Sequence, residues 1–162
     1  MQTFTPFQSA NLRALIQSTL TPMGLYSANA EELLLATCAQ ESLFGTYRTQ
    51  GGSGPARGIF QMEGEDHDDI WKNFVVYHPT LASELTSLSP THQTDDMVMN
   101  DPYAVAMCRI HYLRASGSLP SFTDLNGLWY YYKKHYNTEQ GAATQEEFNE
   151  HYARYVTDGK AT

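Results

Sequence analysis

Leu34, Cys38 and Glu41 fall at i, i+4 and i+7 of one helical stretch, so a carboxyl shares a face with apolar side chains. Two readings fit that spacing: a surface glutamate at a helix end, or a carboxyl held at the edge of the core. In the second case desolvation favours the neutral form and suits the group to donate a proton. Glu41 is followed by Ser42 and by the glycine-rich stretch Gly51-Gly52-Ser53-Gly54-Pro55-Ala56-Arg57-Gly58. Ile59-Phe60-Gln61 comes next, and Tyr136-Asn137 with Gly141 lies far downstream. A buried phenol can donate to a carboxylate and fix its rotamer, and an amide can grip sugar hydroxyls and N-acetyl groups. Gln61 and Asn137 read equally well as polar residues that cap loops.

Other groups offer less. His67, Asp68 and Asp69, with His78 nearby, invite a metal reading. Zinc sites need ligands at defined spacing, and no His-Glu-x-x-His pattern is present. Asp66 and Asp68 read better as acids at a helix start, where the dipole favours them. There is no Gly-x-Ser-x-Gly elbow and no phosphate loop, which argues against esterase and nucleotide chemistry. No metal or other cofactor is therefore expected. Cys38 and Cys108 sit in apolar helical patterns and read as small buried hydrophobes, although one disulfide between them stays open.

The elements that must position these residues are mostly helices. Thr5-Pro6-Phe7-Gln8 has the form of an N-cap with Pro at the first helical position and Gln three after the cap. Leu12, Leu15, Ile16 and Leu20 follow at helical spacing, and Pro22 and Gly24 end the run. Asn29 with Glu32 opens a second helix running to about Phe44. Asp101-Pro102 starts another that Gly117 and Pro120 stop, and Ser121 and Asp124 cap a helix containing Leu125, Leu128 and Trp129. Thr144 and Glu147 form a last capping box, followed by Phe148, Tyr152 and Tyr155. Shorter helices are predicted around Asp68 to Tyr77 and Leu81 to Leu88. No long alternating run of β-branched residues appears, so any sheet is small. The prediction is a mainly α, single-domain protein over residues 1–162.

Composition narrows the function classes. The 162 residues are 41% hydrophobic and 17% charged, enough apolar material for a core of ordinary size and too much for wholesale disorder. Ten Lys and Arg against eighteen Asp and Glu give a net charge of −8, which offers no electrostatic footprint for nucleic acid. The first residues lack the basic start and apolar run of a secretory signal, so no export address is expected. The longest apolar run, Leu33-Leu34-Leu35-Ala36, is far short of a membrane span.

The ordered set Glu41-Ser42, glycine-rich loop, Gly58-Ile59-Phe60-Gln61 and Tyr136-Asn137 near Gly141 resembles the lysozyme-like domain of soluble lytic transglycosylases and goose-type lysozymes. In that family a Glu-Ser pair ends a core helix, a Gly-Leu-Met-Gln segment lines the groove, and an Ala-Tyr-Asn-Ala-Gly motif follows. The likeness spans residues 31 to 141, with Asn100 to Leu113 matching an intervening helix and residues 66–90 reading as an insertion. This chain departs from the pattern at Ile59-Phe60, at Pro55, and in the extra residues between Asn137 and Gly141. The sequence as a whole, including Trp129-Tyr130-Tyr131-Tyr132 ahead of Tyr136-Asn137, is similar to small lysozyme-like proteins encoded by bacteriophages.

The resemblance implies cleavage of the β-1,4 bond between N-acetylmuramic acid and N-acetylglucosamine in peptidoglycan glycan strands. Glu41 would be the general acid and base, and Tyr136 would hold its carboxyl. Ser42 would hydrogen-bond near the substrate, Gln61 would contact sugar, Phe60 would shape the groove wall, and Asn137 would orient the loop or the substrate. A single family carboxylate favours a lytic transglycosylase, whose product carries a 1,6-anhydro ring. Glu63, Glu65 or Asp66 could supply the second carboxylate of a hydrolytic lysozyme. A non-catalytic module of a phage virion on the same fold is the rival from another class. The phage likeness further implies virion or tail proteins as partners. It also implies residence in the virion or host cytoplasm before release to the cell wall.

Overall fold

A computed structural model describes residues 1–157, and it is mainly helical. Seven α-helices follow in order: α1 (Ser9–Leu20), α2 (Ala28–Ser42), α3 (Gly64–Asn73), α4 (Pro79–Leu88), α5 (Asp101–Leu113), α6 (Leu125–Tyr132) and α7 (Gln145–His151). α6 runs on into a π-helical turn, Lys133–Asn137, and α7 into another, Tyr152–Thr157. Among the described residues the only β features are isolated bridges, Thr49 with Arg57 and Arg57 with Met62.

α2 is the axle of the fold. Every residue from Ala30 to Ala39 is buried, because α1, α5, α6, α7 and the closing π turn pack around it. Its first turn carries Glu31, an acid at the favourable end of the helix dipole, and Glu32 follows. Arg13 from α1 neutralises both, at 2.7 and 2.8 Å, and the Tyr152 hydroxyl also donates to Glu32. Ser27 caps the helix by accepting from the Ala30 N–H.

Two predicted helix caps are displaced, and α3 begins at Gly64 and ends at Asn73, earlier at both ends than the expected Asp68 to Tyr77. The Thr5-Pro6 cap is not used: α1 begins at Ser9, and the preceding segment is extended. There the Phe4 and Phe7 N–H groups donate at 2.9 Å to the carbonyls of Thr46 and Phe44, a pairing that a helix from Pro6 would forfeit. Asn29 is likewise displaced as the cap of α2 by Ser27, and its side-chain oxygen accepts from the Phe122 N–H instead. The predicted caps Asp124 and Thr144 accept from the N–H groups of Gly127 and Glu147. α5 holds Pro102 in its first turn, with Asn100 as cap.

Candidate active site

Glu41 lies in the last turn of α2, where the chain leaves the core. Leu43, Phe44 and Gly45 all take left-handed conformations (φ 49°, 61° and 93°), which turn the backbone sharply back. A side chain at Gly45 would meet the Phe7 ring at 3.0 Å, so that turn needs its glycine. Arg48 then ties the loop to the start of α5, bonding the Val98 carbonyl at 3.0 Å and pairing with Asp101. The following segment folds into a tight turn closed by reciprocal bonds between Arg57 and Met62 at 2.9 and 3.1 Å. Gly58 sits at φ 79° with the Met97 carbonyl 2.6 Å from where a Cβ would be, so only glycine passes.

Ser42 joins the two pieces. Its hydroxyl donates to the Ile59 carbonyl at 2.6 Å and accepts from the Gly45 N–H at 2.8 Å, and the residue is fully buried. Ser42 therefore does not reach substrate, which corrects the expected role. Its work is to pin the Gly58–Met62 turn against the end of α2. Phe60 is corrected in the same way: it is 1% exposed and belongs to the core, so its ring is no part of a groove wall.

Glu41 is part-buried and its carboxyl is desolvated. Burial is the main cause that lifts its pKa from the 4.5 of an open carboxyl to about 7, and the nearby negative charge of Glu63 adds to the rise. The C-terminal end of the helix dipole acts in the same direction. A hydrogen bond opposes them: the Tyr132 hydroxyl donates to Glu41 Oε1 at 2.7 Å. The phenol that holds the acid is thus Tyr132, not Tyr136 as expected from the motif. Tyr136 lies one turn further on, stacked on Tyr132 with ring centres 6.1 Å apart, and donates to the Phe60 carbonyl at 2.6 Å. It fixes the Gly58–Met62 turn, while Tyr132 fixes the carboxyl.

Sequence marks Tyr132 as a phenol on a buried face and leaves its partner open. It continues the Leu125, Leu128 and Trp129 face of α6, and a phenol on a buried face needs a hydrogen-bond partner. Its ring packs between Trp129 and Phe148, at 6.1 and 5.3 Å between centres, and burial with the Glu41 charge raises its own pKa strongly. Asn137 ends the π turn beneath it. The Asn137 amide lies against the Tyr132 hydroxyl, and its oxygen accepts from Lys133 Nζ at 2.7 Å. Lys133 also donates to the Gly141 carbonyl at 2.8 Å, and a Cβ on Gly141 would sit 2.2 Å from the Asn137 oxygen. Asn137 thus orients the loop that follows it. Gln61 stands half-buried at the tip of the tight turn (φ 48°), its amide donating to the Gly58 carbonyl at 2.9 Å.

Of the three acids beyond Gln61, Glu63 is the one whose charge is felt at Glu41. Asp66 faces a separate polar hollow of about 250 Å³ with Asp69, His111, Arg114 and His135. His67 is fully buried in a chain of hydrogen bonds. Trp71 donates to the Tyr103 hydroxyl at 2.8 Å, so that hydroxyl donates in turn to His67 Nε2 at 2.7 Å, and Nδ1–H faces Asp68 at 2.9 Å. Among the described residues no three His, Cys, Asp or Glu converge on a point that could hold a metal ion. Cys38 and Cys108 are both free and buried, and burial pushes the Cys38 thiol up to about 12. No helix among the described residues is long and apolar enough to cross a membrane.

The site is therefore one carboxyl, protonated up to near neutral pH, fixed by a phenol and flanked by a second acid. Such a group can deliver a proton to a leaving oxygen and take one back. Neither a family model, nor a curated protein, nor a solved structure matches this chain.

Proposed function

We propose that this chain is a peptidoglycan-cleaving enzyme, acting as a lytic transglycosylase on the β-1,4 bond between N-acetylmuramic acid and N-acetylglucosamine. The observation that carries the reading is the Glu41 carboxyl, raised to about 7 by burial at the end of α2 and oriented by Tyr132. The resemblance of Glu41-Ser42, Gly58 to Gln61 and Tyr136-Asn137 to the lytic transglycosylase pattern supplies the substrate class. Glu41 protonates the bridging oxygen as positive charge develops on the muramic ring. The resulting carboxylate then takes the proton of the C6 hydroxyl, whose oxygen closes the 1,6-anhydro ring. Being tethered, that hydroxyl has a high effective molarity, worth about 7–11 kcal/mol in well-oriented cases.

Glu63 favours a second reading, hydrolysis, because its charge reaches Glu41 and a carboxylate there could activate water. Digestion of purified sacculi, borohydride reduction and mass analysis of the muropeptides distinguish the two. Anhydro ends resist reduction and are lighter than hydrolytic ends by one water. Their appearance supports transglycosylation, reducible ends alone make the protein a lysozyme, and intact sacculi at every pH from acid to neutral refute the enzyme altogether.

A further inference from the structure

The polar hollow of about 250 Å³ lies between α3, the end of α5 and the π turn that follows α6. Apart from Ile70 and Ala115 its walls are polar, and much of their hydrogen-bonding capacity is unused. Asp69 accepts from Asn73 at 2.5 Å and from Arg114 Nη1 at 2.8 Å, which fixes both side chains and leaves Arg114 Nε and Nη2 without partners. Asp66, exposed in the first turn of α3, pairs with no other side chain among the described residues. The His111 Nε2–H donates to the His135 carbonyl at 2.6 Å. Its Nδ1, an acceptor in that neutral tautomer, has no partner. The His135 ring rests on Tyr131 with centres 4.5 Å apart and makes no hydrogen bond. Burial first, then the charges of Lys134 and His111, hold its pKa below the usual imidazole value, so it offers a second acceptor.

Both signs of charge stand around this one small space. An anion on Arg114 would face Asp66 and Asp69, and a simple cation on Asp66 would face Arg114. A metal ion finds no cage, since among the described residues no three His, Cys, Asp or Glu converge. The volume lies below the roughly 300 Å³ at which pockets for drug-sized ligands begin, so the occupant is one small group. A group carrying both charges on neighbouring atoms satisfies every wall. We propose that the hollow binds the zwitterionic head of an α-amino acid, its carboxylate on the free N–H groups of Arg114 and its ammonium on Asp66 and the two imidazoles. Two sources carry such a head: a free amino acid, or a diamino acid whose side-chain end stays free in a cell-wall peptide. The second source rests on the peptidoglycan reading above. It sets the peptide beside the candidate active site, because Asp66 follows Glu63 by three residues and the His111 ring meets Tyr136 edge-on at 4.8 Å between centres.

The test is NMR of the full chain with labelled histidine, following the ring signals of His111 and His135. Three related ligands separate the charges: meso-diaminopimelic acid carries both at each end, pimelic acid only carboxylates, and 1,5-diaminopentane only ammoniums. The zwitterion is expected to move both signals and to bind roughly tenfold or more tightly than either analogue. Arg114→Gln and Asp66→Asn should each weaken it by a similar factor, with circular dichroism confirming the fold; the ligand series itself needs no variant. Glycine and a stem tripeptide ending in diaminopimelate then assign the source. Glycine binding as well as the tripeptide makes the ligand a free amino acid, tighter binding of the tripeptide makes it the cell-wall stem, and both support a zwitterion site. Three results overturn the proposal: no ligand moves these signals at about 10 mM, pimelate or the diamine binds as well as the zwitterion, or both folded variants bind it unchanged. The readout is binding and not turnover, so sacculi left intact by a chain that binds the zwitterion would refute the enzyme and keep the site.

Discussion

Replacing Tyr132 by Phe deletes one hydroxyl and leaves the ring between Trp129 and Phe148. What is lost is the 2.7 Å bond to Glu41 Oε1. A hydrogen bond to a charged group is worth about 1.5–3 kcal/mol, and it stabilises the carboxylate against the acid. At 1.36 kcal/mol per pKa unit, the Glu41 pKa should move up from about 7 by roughly one to two pH units. Glu41 must be protonated to act as the acid, so kcat/KM falls as pH rises through its pKa. In Tyr132→Phe that alkaline limb should move up by the same amount. The plateau rate should fall, because the carboxylate forming in the transition state has lost its donor. The drop corresponds to a factor of about 10–150 if the whole bond is missed there. Tyr136→Phe is the control. It loses a bond to the Phe60 carbonyl, so its activity can drop while its alkaline limb stays near 7. Turbidity clearing of cell walls across pH, with circular dichroism to confirm folding, measures both. An unmoved limb in Tyr132→Phe, or a moved limb in Tyr136→Phe, would refute the assignment of the two phenols.

Glu41→Gln should lower lysis by about 10²–10⁴, the usual worth of general acid and base catalysis. The same change should raise stability at pH 8. Between 4.5 and about 7 the folded chain holds a proton that the unfolded chain has released, so stability falls through that window as pH rises. The loss is about 3 kcal/mol, or roughly 6–12 °C in Tm, and Gln escapes it; equal melting temperatures for the two proteins at pH 8 would contradict the burial of the acid. Ser42→Ala should cost about 1–3 kcal/mol in thermal or urea unfolding, because it strands the buried Gly45 N–H, with loss of activity only through a loosened turn. Glu63→Gln removes a like charge and should move the alkaline limb downward. It should leave the anhydro product intact, and a switch from active to inactive would mark Glu63 as the base of a hydrolase.

The helices that were legible in the sequence are those whose ends are settled locally. Asp124 and Thr144 cap as their types predict, since the partner N–H lies three residues away and nothing distant competes. Thr5-Pro6 has an equally good local signature and fails. The two N–H donors at Phe4 and Phe7 find carbonyls on the loop after α2, and that loop's position depends on three successive left-handed residues that no spacing pattern announces. Asn29 fails for a similar reason, drawn to the Phe122 N–H almost a hundred residues away by tertiary packing. Both π turns were also invisible, because an extra residue per turn changes no hydrophobic count over so short a run.

The site divides along the same line. The apolar face of α2 placed Glu41 at either the surface or the edge of the core, and the ordered segments that follow it in the sequence are what singled it out. The role of each tyrosine was not readable, because it depends on height above α2. Tyr132 and Tyr136 are four apart, on one face, with rings stacked at an interplanar angle of 23°. One helical turn, about 5.4 Å, separates their levels, and a motif that aligns a Tyr by its Asn neighbour has no means of choosing between them. What chooses is the length of α2. It ends with Glu41 level with the first phenol, and Ser42 then holds the returning Ile59-Phe60 backbone level with the second. The two hydroxyls therefore form one device: Tyr132 sets the acid, and Tyr136 sets the turn that precedes Glu63, whose charge is felt at Glu41.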